Sequence, residues 1–260
     1  DGKRIDVSNE DAAALSVVDV DAGKVGACVP VGKEPEGVTV SRDGKSVWVT
    51  SEADGTVAVI DTDNDVVTAT IAVGPRPSGI ALTRDGKCAF VSAENGASVT
   101  IVDAASKRKV GAIALAKGAR PMGLALSPDD KTLFVSNGRA GTIAVDDVKT
   151  GVIKSTIAAV GARPWGIALS PDGTKLYAAC GPSHEVAVVD VKSRAVTARL
   201  QSTGSPWGVA AERRALRVCA DPNNMPFSNE KGEGFDNKIA ALIGDALDAR
   251  VVTTWRPERR

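Results

Sequence analysis

The sequence has few of the residues from which catalytic and metal sites are usually built. His184 is its one histidine, and Cys28, Cys88, Cys180 and Cys219 form neither a C-x-x-C pair nor a C-x-x-C-H motif. A multi-histidine metal site and a covalently attached haem are therefore excluded. The cysteine spacing predicts no disulfide, and no glycine-rich phosphate loop is present. We accordingly expect no catalytic residue, no metal site and no bound cofactor.

Aromatic residues, long apolar runs and excess charge are also scarce. Only 3% of the residues are aromatic, so the core must consist mainly of valine, alanine, isoleucine and leucine. The 32 basic residues balance the 32 acidic ones, which gives no driving force toward nucleic acid or a membrane surface. No apolar run approaches the roughly 20 residues needed to span a bilayer. Neither nucleic acid nor a membrane is expected as a partner.

A five-fold repeat is the main feature that the sequence does have. Each copy contains a Pro-x-Gly-aliphatic segment, and the glycines of successive copies are 42, 44, 43 and 42 residues apart. A period in the low forties, built from short strands, is typical of a β-propeller. The residues that precede the five prolines are Glu34, Arg76, Arg120, Arg163 and Ser205.

Each repeat reads as four strands, and the copy at residues 74–117 is representative. A small-residue apolar strand that starts at Gly79 is followed by the tight turn Asp85-Gly86 and then by three further strands. An aspartate that ends the third strand recurs in every copy. We therefore predict an all-β fold over residues 1–211, a β-propeller of four-stranded blades with about five repeats.

The first residues align with the middle of a blade, because Asp1-Gly2-Lys3 matches Asp43-Gly44-Lys45. The innermost strand that this blade lacks could come from residues 208–211, which would close a five-bladed ring and remove exposed strand edges. A larger propeller, of which five repeats are present, fits the period equally well. The sequence leaves both alternatives open.

The second strands of the repeats resemble those of a known group of propellers. They read Trp48-Val49-Thr50-Ser51, Phe90-Val91-Ser92-Ala93, Phe134-Val135-Ser136-Asn137 and Tyr177-Ala178-Ala179-Cys180. With the Pro-x-Gly and Ser-Pro-Asp-Gly segments, they make residues 1–211 resemble the YVTN-type β-propellers of bacteria and archaea. One such family is associated with catabolism that depends on pyrroloquinoline quinone, and its propellers resemble this one. Propellers of this type serve many roles, so the resemblance is specific for fold rather than function.

A different pattern occupies residues 212–260. An apolar strand at residues 216–221 is followed by a loop and by a segment whose Ile239, Leu242, Ile243 and Leu247 share one helical face. A second strand follows at residues 250–255. This order predicts a short α/β segment, one βαβ unit with a right-handed crossover. A degenerate sixth blade is the alternative, because residues 215–220 also align with residues 175–179.

The same segment closely resembles the opening of type II periplasmic solute-binding proteins. Residues 216–224, Leu-Arg-Val-Cys-Ala-Asp-Pro-Asn-Asn, are similar to the start of the subfamily associated with quinoprotein dehydrogenases. The resemblance covers about residues 215–260, which is part of one of the two lobes of such a protein. It implies that Asp221, Asn224 and Phe227 lie in a loop where these proteins contact their ligand.

The repeats also place like charges at equivalent positions. Arg76, Arg120 and Arg163 each precede a proline, and propeller geometry gathers such positions around one mouth of the central channel. Like charges there repel unless they are solvated, paired or bridged by an anion. One interpretation is an anionic ligand or partner at the mouth, and the other is that each arginine pairs with a neighbouring loop carboxylate or carbonyl. Trp165 and Trp207 either add a stacking surface or pack between blades.

Together, the two resemblances imply a non-enzymatic periplasmic binding or accessory propeller associated with a quinoprotein, pyrroloquinoline-quinone-dependent alcohol-oxidation system. The expected partner is a quinoprotein dehydrogenase or its cytochrome. The alternatives are a propeller enzyme, either quinoprotein-like or lactonase-like, and a generic protein-interaction propeller. A metal-dependent lactonase would surround a central cation with acidic and amide side chains, whereas the equivalent ring here is rich in arginine.

Overall fold

The computed structural model describes residues 2–211, 214–220, 223–224, 228–229, 231, 233–246 and 249–255. The chain forms two compact units. The first comprises Asp1–Leu169 and Gly173–Ala210, and the second comprises Ser170–Asp172 and Ala211–Arg260.

The first unit consists of antiparallel sheets that follow one another along the chain. A three-stranded sheet comes first and four four-stranded sheets follow it, which confirms the predicted propeller blades. The strands of the first sheet are β1 (Arg4–Asn9), β2 (Ala14–Asp19) and β3 (Lys24–Pro30). Those of the next two are β4 (Pro35–Val40), β5 (Ser46–Ser51), β6 (Thr56–Asp61), β7 (Val66–Ala72), β8 (Pro77–Leu82), β9 (Cys88–Ala93), β10 (Ser98–Asp103) and β11 (Arg108–Ala114). Those of the last two are β12 (Pro121–Leu126), β13 (Thr132–Asn137), β14 (Thr142–Asp147), β15 (Val152–Ile157), β16 (Pro164–Leu169), β17 (Lys175–Cys180), β18 (Glu185–Asp190) and β19 (Ala195–Gln201).

The core lies between neighbouring sheets and is mainly aliphatic, as the low aromatic content predicts. Leu15 and Val29 of the first sheet, for example, pack with Val47, Val49 and Ile60 of the second. The burial of such side chains is the main favourable contribution to folding. The bulkiest fully buried side chains are aromatic residues of second strands, namely Trp48, Phe90 and Phe134.

The inner strands of neighbouring blades approach so closely that only glycine fits at the third position of the Pro-x-Gly segment. A Cβ atom on Gly79 would lie 2.2 Å from the carbonyl oxygen of Met122 in the next blade, and one on Gly37 would lie 2.0 Å from that of Ser78. Because the obstacle is backbone in each case, no side-chain movement could relieve it. The repeated glycine is therefore required where the blades converge.

A hydroxyl group in the second strand joins the inner strands of two neighbouring blades. Ser92 Oγ accepts the backbone N–H of Gly79 at 2.8 Å and donates to the carbonyl oxygen of Met122 at 2.6 Å. Thr50 and Ser136 make the same two hydrogen bonds in their own blades. We call this arrangement the hydroxyl clip.

The last blade has no hydroxyl clip, because Ala179 occupies the equivalent position. There the backbone N–H of Gly166 donates directly to the carbonyl oxygen of Trp207 at 3.0 Å. The fifth Pro-x-Gly segment thus lies beside β16 without belonging to a sheet.

Ring closure by residues 208–211, one of the two alternatives, is not what the chain does. Residues 205–211 form no strand, and β1 pairs with β2 alone among the described strands. The two end faces of the blade series are open, since Ile5 and Val7 are 52% and 42% exposed and Leu200 is 55% exposed. Equivalent residues of internal blades, such as Val47 and Ile71, are buried. The hydrogen bond from the Gly166 N–H to the Trp207 carbonyl oxygen instead holds the fifth Pro-x-Gly segment beside β16.

The second unit contains the predicted βαβ segment. Strand β20 (Arg214–Ala220) pairs in parallel with β23 (Ala249–Trp255), and α1 (Phe235–Ala246) lies between them in the chain. Two short strands, β21 (Asn223–Asn224) and β22 (Ser228–Asn229), pair before the helix. Because neighbouring strands of a blade are antiparallel, the sixth-blade alternative is wrong.

Helix α1 leaves much of its predicted aliphatic face exposed. Ile239, Leu242 and Ile243 are 48%, 69% and 45% exposed, whereas Ala240 is buried. The helix therefore turns its smaller side chain inward. No helix among the described residues is long and apolar enough to cross a membrane.

Candidate functional site

The candidate site is the mouth of the propeller, which we define as the end of the blades where the inner strands begin. The antiparallel strand order brings two kinds of residue to this end, those that precede a Pro-x-Gly segment and those that follow a second strand. The first set is Glu34, Arg76, Arg120, Arg163 and Ser205. The second set is Glu10, Glu52, Glu94, Gly138 and Gly181. The earlier blades thus contribute carboxylates, and the later blades contribute glycine.

Arg76 lies between two carboxylates of the second set. Its guanidinium forms an ion pair with Glu52, and its Nε lies 3.3 Å from Glu94 Oε2. Both carboxylates are largely buried, with side-chain exposures of 10% and 12%. The pairing interpretation therefore holds for Arg76. Carboxyl groups of two neighbouring blades take the place that an external anion would occupy beside it.

Glu52 also faces a second carboxylate, that of Glu36. Burial, together with the hydrogen bond and the charge of Glu36, raises the pKa of Glu52 to about 8, and Arg76 offsets this only in part. Glu36 Oε2 is buried and has no hydrogen-bond donor among the described residues. With this pKa, Glu52 is mostly protonated at neutral pH, and Arg76 then donates a hydrogen bond to a neutral carboxyl group.

Arg120 and Arg163 have no carboxylate partner among the described residues. The Arg120 guanidinium donates to the side-chain oxygen of Asn95. The Arg163 guanidinium lies 5.2 Å from the ring centroid of Trp165, and its Nε is buried without a hydrogen-bond acceptor. A cation held by an aromatic face rather than by an anion retains most of its capacity to attract negative charge.

Trp165 and Trp207 form one aromatic stack at the mouth. Their ring centroids are 4.2 Å apart, with planes tilted by 37°. The Trp165 ring occupies the space that a side chain at Gly181 would need, since a Cβ atom there would lie 2.0 Å from the ring. Trp207 is 56% exposed. A large exposed indole that rests on a packed one is the kind of residue that anchors protein interfaces.

A pocket of about 440 Å³ lies at the acidic part of the mouth. Its lining residues come from the first two blades, from the loop that carries Arg76 and from the fifth Pro-x-Gly segment. They include Ser8, Glu10, Glu34, Glu36, Glu52, Arg76 and Trp207. The exposed indole therefore borders carboxylates on one side and the Trp165–Arg163 pair on the other.

The backbone is strained at three of the positions that precede a mouth proline. Glu34, Arg76 and Arg163 have φ angles of +52°, +52° and +49°, in the left-handed region that non-glycine residues seldom adopt. Each such residue costs on the order of 1–3 kcal/mol, and strain of this kind clusters at binding and catalytic sites. It fixes the direction in which these charged side chains leave the backbone.

Of the other residues singled out in the sequence, Asn224 is part of β21 in the second unit, and Asp221 and Phe227 lie outside the described residues. His184 ends a short 3₁₀ turn, where its N–H donates to the carbonyl oxygen of Gly181 at 2.9 Å. Within the described ranges, no three histidine, cysteine, aspartate or glutamate side chains are placed to share a metal ion.

Sequence reasoning misses the acidic half of the mouth. Glu36, Glu52 and Glu94 are absent from the predicted site residues, although Glu52 and Glu94 hold Arg76 in place and Glu36 faces Glu52. The signal that could have found them is the 42-residue offset that relates Glu10, Glu52 and Glu94 in successive repeats. The arginine positions alone predict a ring of positive charge, whereas the mouth carries both basic and acidic side chains.

Similarities to known proteins agree with this fold. A family model of YNCE-like β-propellers matches residues 1–85. The chain has a TM-score of 0.71 with a functionally unknown protein from Desulfotomaculum acetoxidans, at 15% identity, covering 81% of this chain and 70% of that one. It has a TM-score of 0.62 with hydrazine synthase of Kuenenia stuttgartiensis, at 20% identity, covering 80% and 86%. At such identities the likeness concerns the fold.

Two curated proteins of Paracoccus denitrificans share short stretches with the chain. One, described as an uncharacterised protein in the cycB 3′ region, is 48% identical over 45 residues, which is 17% of this chain and 54% of that protein. The other, Protein MoxJ, is 46% identical over 39 residues, which is 15% of this chain and 14% of that protein. The chain thus spans about half of one relative and about a seventh of the other. The strand pattern and these similarities identify the repeat region as a β-propeller.

Proposed function

We propose that this protein is a non-enzymatic periplasmic accessory propeller that binds a component of a quinoprotein-dependent alcohol-oxidation system through its mouth. The partner is the quinoprotein dehydrogenase or its cytochrome. The link to alcohol oxidation rests on the resemblance of residues 1–211 to propellers of pyrroloquinoline-quinone-dependent catabolism. The resemblance of residues 216–224 to a quinoprotein-associated solute-binding subfamily supports the same link.

The observation that carries the binding role is the two-sided mouth. One side holds the Glu36–Glu52–Arg76 network, and the other holds Arg163 stacked on Trp165 with Trp207 exposed beside it. An exposed aromatic anchor flanked by charges of both signs suits a protein surface with matching charges, because charge complementarity sets orientation and rejects wrong partners. Arg120 and Arg163 are the residues that receive the anionic groups of the partner.

The test is a binding measurement with the two candidate partners. The dehydrogenase and its c-type cytochrome, purified from the same organism, are immobilised separately, and the full chain is passed over each at several salt concentrations. We expect the double variant Arg120→Gln/Arg163→Gln to bind its partner at least about tenfold more weakly, with a flatter salt dependence. Trp207→Ala weakens binding by a similar factor without changing the salt dependence, because it removes apolar contact rather than charge.

A matched control removes the same charge elsewhere. Arg108→Gln/Lys109→Gln changes two exposed cations at the start of β11, away from the mouth, and retains binding. Failure of the wild-type chain to bind either protein overturns the assignment to this system. Equal weakening by the mouth and β11 variants overturns the mouth as the binding surface.

A further inference from the structure

A second charged concavity lies at the opposite end of the blades from the mouth. It is a groove of about 450 Å³ between the second and third sheets, formed by the turns that follow β4, β8 and β10. Trp48, which is 1% exposed, lies at its floor. No residue of this groove belongs to the mouth.

The groove is lined by more cations than anions. Arg42, Arg84, Lys87 and Lys107 line it together with two carboxylates, Asp43 and Asp85. Lys87 Nζ lies 3.4 Å from Asp85, and the other three cations form no ion pair with any described residue.

The fold does not require arginine at these turns. Arg42 and Arg84 occupy the second position of a Ser/Thr-x-Asp turn, and the equivalent residues of the next two repeats are Pro128 and Pro171. Proline suits this position because it presets the backbone angle of the turn. The two arginines thus replace the residue that the turn itself favours, and they do so only on the two blades that border the groove.

Lys107 occupies a position that favours glycine. Its φ angle is +56°, and the equivalent residues of the first and fourth repeats are Gly23 and Gly151. The other two repeats place Asp65 and Arg194 there, and each has a polar partner, Arg4 and Ser155 respectively.

Lys107 has an aromatic partner and forms no ion pair with any described residue. Its ammonium lies 4.7 Å from the ring centroid of Trp48, and burial lowers its pKa. A partly desolvated ammonium without a carboxylate gains more from an incoming anion than a hydrated one does. Within the described chain, the partial burial of Lys107 is offset by the indole and by the charges of Asp103 and Asp43, neither of which forms an ion pair with it.

The two aspartates of the groove are already committed to their own turns. Asp43 Oδ1 accepts the hydroxyl of Ser41 at 2.7 Å and the N–H of Lys45 at 3.1 Å, and Asp85 makes the equivalent bonds in its turn. These bonds lower the pKa of both carboxyl groups, so they stay ionised. They also occupy the turn N–H groups that a compact phosphate would need.

From this geometry we infer that the groove is a docking site for an acidic segment of a protein partner, whose carboxylates pair with Arg42, Arg84 and Lys107. An extended acidic segment can place separate carboxylates against cations on three turns while avoiding Asp43 and Asp85. A compact dianion would be repelled by those two aspartates, because they lie in the same groove as the cations. The inference is independent of the mouth and of the alcohol-oxidation system.

The inference is tested with hexaglutamate peptide as the probe. Its affinity for the full chain is measured by titration calorimetry at low and at physiological salt. The variant Arg42→Gln/Arg84→Gln/Lys107→Gln is expected to bind at least about tenfold more weakly and to lose most of the salt dependence. The matched control Lys117→Gln/Lys149→Gln/Lys192→Gln removes three exposed lysines elsewhere and retains the wild-type affinity.

Three outcomes overturn the inference. Equal weakening in the two triple variants would show that the peptide responds to net charge alone. Loss of binding in the mouth variant Arg120→Gln/Arg163→Gln would place the acidic segment at the mouth. Displacement of the peptide by an equal concentration of inorganic phosphate would make the groove a simple anion site. Unchanged thermal unfolding of the groove variant confirms that a loss of affinity does not reflect a loss of fold.

Discussion

The hydroxyl oxygen of Ser92 lies 2.6 Å from the carbonyl oxygen of Met122, which belongs to the next blade of the propeller. The same oxygen accepts the N–H of Gly79 in its own blade. One small side chain thus satisfies a donor and an acceptor of two inner strands at the point where the blades meet. In the last blade, by contrast, the N–H of Gly166 bonds directly to the carbonyl oxygen of Trp207.

Ser92→Ala is expected to destabilise the protein, because it leaves the Gly79 N–H and the Met122 carbonyl without their buried partner. The cost should be roughly 1–3 kcal/mol in the free energy of unfolding, which is the range for an unsatisfied buried hydrogen-bonding group. Urea denaturation measures it. Ser106→Ala, which removes a hydroxyl from an exposed turn, serves as the control. Equal effects of the two substitutions would show that the hydroxyl clip contributes little.

Gly79→Ala should be far more damaging than Gly208→Ala. A Cβ atom on Gly79 would lie 2.2 Å from a backbone carbonyl oxygen, whereas none of the described atoms lies within 4 Å of a Cβ atom on Gly208. We expect the first substitution to cost at least about 3 kcal/mol or to prevent folding, as overpacking against backbone does at the upper end of its range. The second should change the melting temperature little. Comparable melting temperatures for the two variants would contradict the close approach of the inner strands.

Asp146 is a buried carboxyl group at a core position of β14. It is 0% exposed, neither carboxylate oxygen has a hydrogen-bond partner among the described residues, and burial raises its pKa to about 6. The equivalent residues of three other blades are Ile60, Val102 and Val189, all buried. Below about pH 4 the group is protonated in both the folded and the unfolded chain, so it then carries no ionic cost.

As pH rises from about 4 to about 6, the unfolded chain releases this proton while the folded chain still holds it, and stability is lost across that window. The loss is at most roughly 3 kcal/mol, since each pKa unit corresponds to about 1.4 kcal/mol. Asp146→Val should therefore raise the free energy of unfolding at pH 7. Asp146→Asn should flatten the pH dependence without adding an apolar side chain. Unfolding titrations at pH 4, 5, 6 and 7 test both, and an unchanged profile in Asp146→Asn would refute the assignment.

Glu36→Gln should lower the pKa of Glu52 from about 8 toward its usual value of 4.5, because the facing carboxylate contributes to the raised value. The pH window over which Glu52 destabilises the folded chain as pH rises would narrow accordingly. Arg76→Gln should act in the opposite direction, since it removes the cation that favours the ionised form. Carbon-13 NMR titration of the Glu52 carboxyl group follows both changes. A pKa that is the same in all three proteins would show that Glu52 is not coupled to its neighbours.

Much of the architecture follows from short-range patterns in the sequence. The 42- to 44-residue spacing of the glycines, the Asp-Gly turns and the four apolar runs per repeat predict the blades, and the structure confirms them. The helical spacing between two apolar strands likewise predicts the βαβ segment. The turns and strands depend on backbone preferences and side-chain periodicity within a few residues, and the repeat is visible as regular spacing along the chain, so neither requires knowledge of what lies nearby in space.

The character of the candidate site follows from contacts between blades, which no local pattern specifies. The sequence places Arg76, Arg120 and Arg163 at equivalent positions, yet Arg76 is held between two carboxylates while Arg163 rests on an indole. The difference arises because Glu52 and Glu94 become Gly138 and Gly181 in later repeats, and the glycine leaves room for Trp165.

Patterns along the chain specify the repeat, the four-stranded blades, the glycines at their convergence and the βαβ segment that follows. Contacts between blades determine that residues 208–211 do not complete the first sheet, that the mouth carries both signs of charge, and that cations of two neighbouring blades meet over Trp48. Hydrogen-bonded strands and turns depend on residues that are close in the chain. Ion pairs, facing carboxyl groups and aromatic stacks depend on which loops of separate blades come within a few ångströms of each other.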